Sequence, residues 1–100
     1  FTYVTDTANG IMLAGTQQVP AENKTFNITR SKARTIKELA DIVVDVVGKG
    51  RVVVEERDDS YPFRGRLDIS EAEHYLGYKP MVNLEQGIEK YYKWFREFYQ

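Results

Sequence analysis

The chain contains no cysteine. That absence removes disulfides, thiolate nucleophiles and cysteine-ligated zinc from consideration, and it accords with a cytoplasmic origin. Histidine occurs once, as His74, with no second imidazole or thiol to share a metal or build a nucleophilic triad, so neither a metal nor a catalytic histidine is expected. No run of about 18 apolar residues is present, so no membrane-spanning helix is expected. The opening "FTYVTD" has no basic segment and no initiating methionine, which argues against a signal peptide and suggests that the chain is a fragment. Charge of one sign is also missing: 14 Lys and Arg are interspersed with 15 Asp and Glu, for a net charge of -1. A nucleic-acid or anionic-membrane surface needs a concentrated positive field, and this chain lacks one. There is no Gly-x-Gly-x-x-Gly, and "GKG" at 48–50 lacks the remainder of a phosphate-cradling loop.

What is present is ordinary for a globular chain, with 42% hydrophobic and 29% charged residues, enough for one modest core at this length. "FTYV" and "TFNIT" are β-branched and aromatic and read as short strands. Residues 6–18 read as a helix capped by Thr5 or Asp6; Gly10 and Gly15 weaken it unless close packing requires them. Thr35 and Glu38 form a capping box ahead of a helix over 36–47, whose Ile36, Leu39, Ala40, Val43 and Val47 recur at helical spacing, and Gly48 stops it. "RVVVEE" then reads as a covered strand beside "TFNIT", in the strand-helix-strand order that favours parallel pairing. A short helix over 69–76 follows, capped by Asp68 with Glu71 and ended by Gly77. Asn83 with Gln86 opens a long helix over 84–99, with Leu84, Ile88, Tyr91, Phe95 and Phe98 along its seam. The expected fold class is therefore α/β, a single unit over 1–100: a short, mainly parallel sheet with strands near 26–29 and 52–56, and about four helices.

Little in this sequence can do chemistry alone. A Tyr-x-x-x-Lys match at Tyr75 and Lys79 is interrupted by Gly77 and followed by Pro80, so one helix cannot hold both side chains at i and i+4. Asp58 and Asp59 suit a solvated turn as well as a cation. The loop 57–66 carries Arg57, Tyr61, Arg64 and Arg66, with Pro62 stiffening it and Gly65 permitting close backbone approach. Guanidinium forks match phosphate oxygens bidentately, so this loop is a candidate diphosphate grip. The competing reading is surface arginines paired with Glu56, Asp58 and Asp59.

Five blocks in register point further. "FTYVTDTANGIMLAG", "FNIT", "TIKELADIVVDVVGK", "LDISEAEHYLGYKP" and "NLEQGIEKYYKWF" together resemble the C-terminal, substrate-binding part of the extended short-chain dehydrogenase/reductases, the NAD-dependent nucleotide-sugar epimerases and dehydratases. The resemblance covers nearly the whole chain. It departs at Thr29, where the family often has glycine, at Glu71, where it has lysine, and around Arg57–Asp59, where its Arg-x-x-Asp contact is not cleanly matched. It implies a UDP- or dTDP-linked sugar as substrate, oxidised at C4, rearranged and reduced again by the returning hydride. It also implies NAD and the catalytic Tyr-x-x-x-Lys on a Rossmann domain that this chain lacks. No catalytic or cofactor-binding residue is then expected here, and the isolated fragment should be inactive. Arg64 matches the family's arginine ahead of the Asp-x-x-Lys-Ala block and is the implied diphosphate ligand, with Tyr61 and Arg57 as further substrate contacts. An apolar face of helix 6–18, laid bare without the other domain, would favour self-association. The alternative is a free-standing interaction module of the same fold without catalysis.

Overall fold

A computed structural model of the chain describes residues 1–16 and 23–99. Its elements in order are α1 (Val4–Thr16), α2 (Ile36–Val47), a π-type turn (Ala72–Leu76) and α3 (Leu84–Tyr99). Residues 17–18 of the expected first helix, and most of the turn after it, lie outside the described residues.

The expected α/β class with a parallel sheet is not what forms. Among the described residues there is no strand near 26–29, near 52–56 or at the start of the chain. Val4 opens α1 instead, where the Tyr3 carbonyl accepts from the amides of Asp6 (3.0 Å) and Thr7 (3.1 Å). Residues 26–29 are extended, but side chains rather than a ladder tie this stretch to its neighbour. Asn27 Nδ2 donates to the Asp68 carbonyl at 3.0 Å and Ser31 Oγ to the Leu67 carbonyl at 2.6 Å. The 52–56 stretch was expected to be covered, yet Val54 is 74% exposed. β-Branched residues favour an extended backbone wherever they occur, whereas a sheet also needs a partner backbone at ladder distance, and that requirement is not written locally.

The helices follow their local signals. Thr35 Oγ1 accepts from the Glu38 amide (3.0 Å) and Glu38 Oε1 from the Thr35 amide (3.2 Å), completing the box that starts α2. Gly48 ends it at φ 81°, where a side chain would be strained. Asn83 and Gln86 reciprocate in the same way at the start of α3 (2.8 and 3.0 Å). The short helix expected over 69–76 forms over 70–76, with Ala72–Leu76 wound wider as a π-helix. Asp68 Oδ1 accepts from the Ser70 amide at 2.8 Å, but Glu71 makes no side-chain cap bond, so the expected cap pairing is incomplete. Gly77, at φ 64°, ends the helix as expected.

The core is small: Ile69, Ala72, Leu76 and Tyr78, with Leu13, Phe26 and Ile28 against them. Asp6, only 4% exposed, joins α1 to the chain before α3, its carboxylate accepting from the amides of Met81 (3.0 Å) and Val82 (2.9 Å). Gly10 completes that junction, because a Cβ there would overlap Ile28 Cγ2 and sit 3.2 Å from Tyr78 Cε1. Across the molecule, Arg34 clasps α2 to α3. Its guanidinium donates to Glu85 (2.5 and 3.2 Å) and through Nε to Glu38 (2.6 Å).

The whole is a slab of 49 × 38 × 17 Å with a radius of gyration of 16.6 Å, where a compact 100-residue domain measures about 13 Å. Its accessible surface is 8154 Å², against roughly 5,800 Å² for a folded monomer of this mass. The exposed surface includes apolar side chains on open faces of α1 and α3: Val4, Ile11 and Met12 on one, Tyr91, Trp94 and Phe98 on the other.

Candidate functional site

Loop 57–66 is shaped by its own side chains. Asp58 makes a turn in which its carboxylate accepts from the Ser60 amide at 2.9 Å and its carbonyl from the Tyr61 amide at 3.2 Å. The Ser60 hydrogen bonds, side chain and backbone, hold the Asp58 carboxyl below the usual aspartate range. Arg57 closes the turn by donating to the Tyr61 carbonyl at 2.6 Å, and its guanidinium carbon lies 3.8 Å over the Phe63 ring. The loop returns to the body through Leu67 and Asp68, whose carbonyls take the Ser31 and Asn27 side chains. Asp68 is itself held low, first by its bonds from Ser70 and then by nearby Arg66.

Of the three residues singled out from the sequence, Arg57 and Tyr61 are brought together, through a main-chain oxygen that leaves the tyrosine hydroxyl facing solvent. Arg64 is exposed and makes no hydrogen bond or ion pair with the described residues. The ion pairs that would have consumed these arginines on Glu56, Asp58 and Asp59 do not form. Phe63, 88% exposed, was not singled out by sequence reasoning; an arginine six residues before an aromatic carries no periodic signal. The loop thus offers solvent an uncommitted guanidinium, a phenol and an aromatic ring backed by a second guanidinium. Such a set can take an anionic group and a planar one.

Hollows lie elsewhere among the described residues, and none of the three residues lines the two described next or a third of about 600 Å³ between Val46, Tyr92 and Arg96. One, of about 640 Å³, is an apolar groove between Tyr3, Leu39, Gly87, Ile88, Tyr91 and Trp94. Another, of about 220 Å³, is lined by Arg30, Lys32 and Arg34 together with Phe1, Asn83 and the first residues of α3. Sequence reasoning missed this basic hollow: "RSKAR" at 30–34 shows three cations close together, but Ser31 at φ 59° breaks the alternation of an extended run, so the pattern does not show that they share a cavity. Within it, the Arg34 hydrogen bonds pull the Glu85 carboxyl down to about 2, with smaller help from its own amide and from the Arg34 and Arg30 charges.

Tyr75 and Lys79 do not form a catalytic pair. Lys24 Nζ lies 4.3 Å over the Tyr75 ring, His74 packs edge-on against it at 4.7 Å, and left-handed Gly77 stands before Lys79. Among the described residues no group of three acidic or imidazole side chains could hold a metal, and no helix is long and apolar enough to cross a membrane.

Sequence motifs, helix order and loop together resemble the C-terminal part of the extended short-chain dehydrogenase/reductases, the family of nucleotide-sugar epimerases and dehydratases. The chain is 27% identical over 113 residues to UDP-glucuronate 4-epimerase 4 of Arabidopsis thaliana, an alignment of 99% of this chain and 26% of that protein. It is 31% identical to a putative UDP-glucose 4-epimerase of Methanocaldococcus jannaschii, over 96% of this chain and 30% of that one. It is 35% identical to the GDP-L-fucose synthase of Escherichia coli, over 95% and 29% respectively. Among solved structures it superposes, with a TM-score of 0.76 and 24% identity, on 30% of the UDP-glucuronic acid 4-epimerase of Bacillus cereus, which was solved in complex with NAD; the match takes in 99% of this chain. No family model matches. The chain therefore spans less than a third of the length of these relatives.

Proposed function

We propose that residues 1–100 form the substrate-gripping part of an NAD-dependent epimerase or dehydratase acting on a UDP- or dTDP-linked sugar, and that they bind without catalysing. The observation that carries this reading is the end-to-end alignment with three nucleotide-sugar enzymes. Arg64 would take the diphosphate, Tyr61 would add a hydrogen bond through its free hydroxyl, and Arg57 would hold the loop's shape while lending charge. Remote binding of this kind is useful to an enzyme because holding the nucleotide orients the sugar at the reacting centre.

NAD does not fit the residues present. Its pyrophosphate needs a glycine-rich turn running from a strand into a helix, and the sequence has no such motif. In this reading the cofactor, and with it the hydride chemistry, belong to a Rossmann domain of a longer protein. The surplus of exposed surface, the open face of α1 and the apolar groove beside α3 give that domain somewhere to rest. Without it they favour self-association of the isolated chain.

The test is a titration of the chain with UDP, followed by amide chemical shifts. The expected result is weak, saturable movement of resonances in 57–66, with Arg64→Ala lowering affinity about tenfold, as loss of a charge-assisted phosphate contact should. No movement in that loop at millimolar UDP would reject the gripping role. The alternative, a free-standing interaction module, is favoured only by the apolar groove; it predicts silence toward UDP.

A further inference from the structure

We propose that the basic hollow at Arg30, Lys32 and Arg34 is a second anion site, for a compact anion such as a phosphoryl group, distinct from loop 57–66. Its basis is independent of the nucleotide-sugar reading.

The segment 30–34 is not a regular extended run, because Ser31 sits in the left-handed region at φ 59°. Arg30, Lys32 and Arg34 line the hollow, while Ser31 between them reaches the Leu67 carbonyl at 2.6 Å. The backbone that presents the cations is fixed, because the Arg30 amide donates to Thr2 Oγ1 and the Ser31 amide to Thr29 Oγ1, both at 3.1 Å. Charge accounting separates the three cations. Arg34 is fully engaged by Glu38 and Glu85. One guanidinium offsets only one of those two carboxylates, so Arg30, Lys32, Arg34, Glu38 and Glu85 together carry a net charge of +1, three cations against two carboxylates. Arg30 helps to lower Glu85 by its charge, and neither Arg30 nor Lys32 makes a side-chain hydrogen bond or ion pair with the described residues. Two cations without a direct ion pair thus face one cavity whose other wall is Asn83, Leu84 and the Arg34-bound Glu85, at the positive end of a 16-residue helix. A volume of about 220 Å³ lies below the roughly 300–1,000 Å³ of pockets that hold drug-sized ligands. It suits a tetrahedral oxyanion and its waters, not a nucleotide. A net positive charge at the rim of a cavity of that size suits a small anion, and a phosphoryl group that accepts from both Arg30 and Lys32 meets the requirement.

The test uses the 100-residue chain acetylated at Phe1, so that its amine adds no charge. It is titrated with inorganic phosphate, and in a second arm with sodium chloride to matched ionic strength, while amide shifts are followed. The expected result is saturable movement at 30–34 and 83–85 with phosphate alone, whether or not loop 57–66 also moves. Arg30→Ala and Lys32→Ala should each weaken binding about five- to tenfold, and the double variant should abolish saturation, in keeping with charge-assisted contacts. Lys37→Ala, which removes a cation paired with Asp41 on α2, should change nothing. Equal movement in both arms, or undiminished phosphate binding by the folded double variant, would overturn the site. Because UDP is read at 57–66 and phosphate at 30–34, the two proposals fail separately.

Discussion

At the scale of single side chains, the block "FTYVTDTANG" owes its composition to a junction. Asp6 meets two amides that the turn before α3 would otherwise leave unpaired, and Gly10 lets Ile28 and Tyr78 approach the helix backbone. Asp6→Ala should cost about 3 kcal/mol, the worth of hydrogen bonds to a buried charged group together with the orphaned donors it leaves. Asp6→Asn should cost less, because one acceptor oxygen remains. Gly10→Ala should cost about 1–3 kcal/mol through overpacking. Gly15, which has open space where its Cβ would go, is the internal control: Gly15→Ala should raise stability by about 0.5–1 kcal/mol through helix propensity. Urea unfolding of the four variants checks the order, and a Gly10→Ala chain as stable as Gly15→Ala would contradict the junction. Tyr78 makes a separate case. Its ring is 2% exposed and its hydroxyl has no partner. Burial raises that phenol's pKa, with the Asp6 charge adding to it. Tyr78→Phe removes a desolvated polar atom without opening a cavity, so stability should hold or rise by about 1 kcal/mol. A clear loss in the same unfolding assay would mean that the hydroxyl finds a partner in solution.

At the scale of elements, the difference between what was legible and what was not is the difference between local and distant partners. Thr35 with Glu38, Asn83 with Gln86, and the stops at Gly48 and Gly77 each satisfy groups within four residues, so the sequence pattern alone located α2, α3 and the end of the π-type turn. "TFNIT" and "RVVVEE" were legible as extended backbone, but pairing depends on which segment lies alongside. Here side chains of Asn27 and Ser31 occupy that role for one stretch, and the other is open to solvent. The same limit governs the sites. Arg57, Tyr61 and Arg64, the proposed substrate contacts, stood out because they crowd one loop in the sequence, whereas Phe63 under the Arg57 guanidinium and the basic hollow depend on contacts that a linear pattern does not display. Arg34 gives the element scale its own prediction. Glu85 is lowered from 4.5 to about 2, so the folded state binds its proton less readily than the unfolded state. The clasp's contribution is therefore full above about pH 4.5 and disappears as pH falls toward 2. Urea midpoints measured across that window should fall less steeply with acid in Glu85→Gln than in the parent chain, and the two should run parallel between pH 5 and 7. Identical slopes below pH 4.5 would mean that the ion pair is no better than solvent, a common fate of exposed pairs.

At the scale of the whole molecule, shape and surface make one physical problem. A slab 17 Å thick is little more than one layer of helices, each about 10–12 Å across with its side chains, and a stable unit ordinarily needs two packed layers around a shared core. In the reading proposed above, the second layer is supplied from outside residues 1–100 or by another copy of them. The apolar side chains on α1 and beside α3 set the strength of that demand: burying a single Ile or Met fully is worth about 1.5–3 kcal/mol, a sizeable fraction of what a small domain can muster in total. In dilute solution the isolated chain should therefore associate through these faces, and sedimentation velocity should show a weight-average coefficient that climbs with concentration. Ile11→Glu and Trp94→Glu, each placing a charge on a face that is already exposed, should lower that climb without loss of helical circular dichroism, the first by spoiling the α1 face and the second the groove. If one variant acts and the other does not, the sticky face is identified. A parent chain that stays strictly monomeric at high concentration would show that neither face seeks cover, and the case for a layer supplied from elsewhere would fall with it.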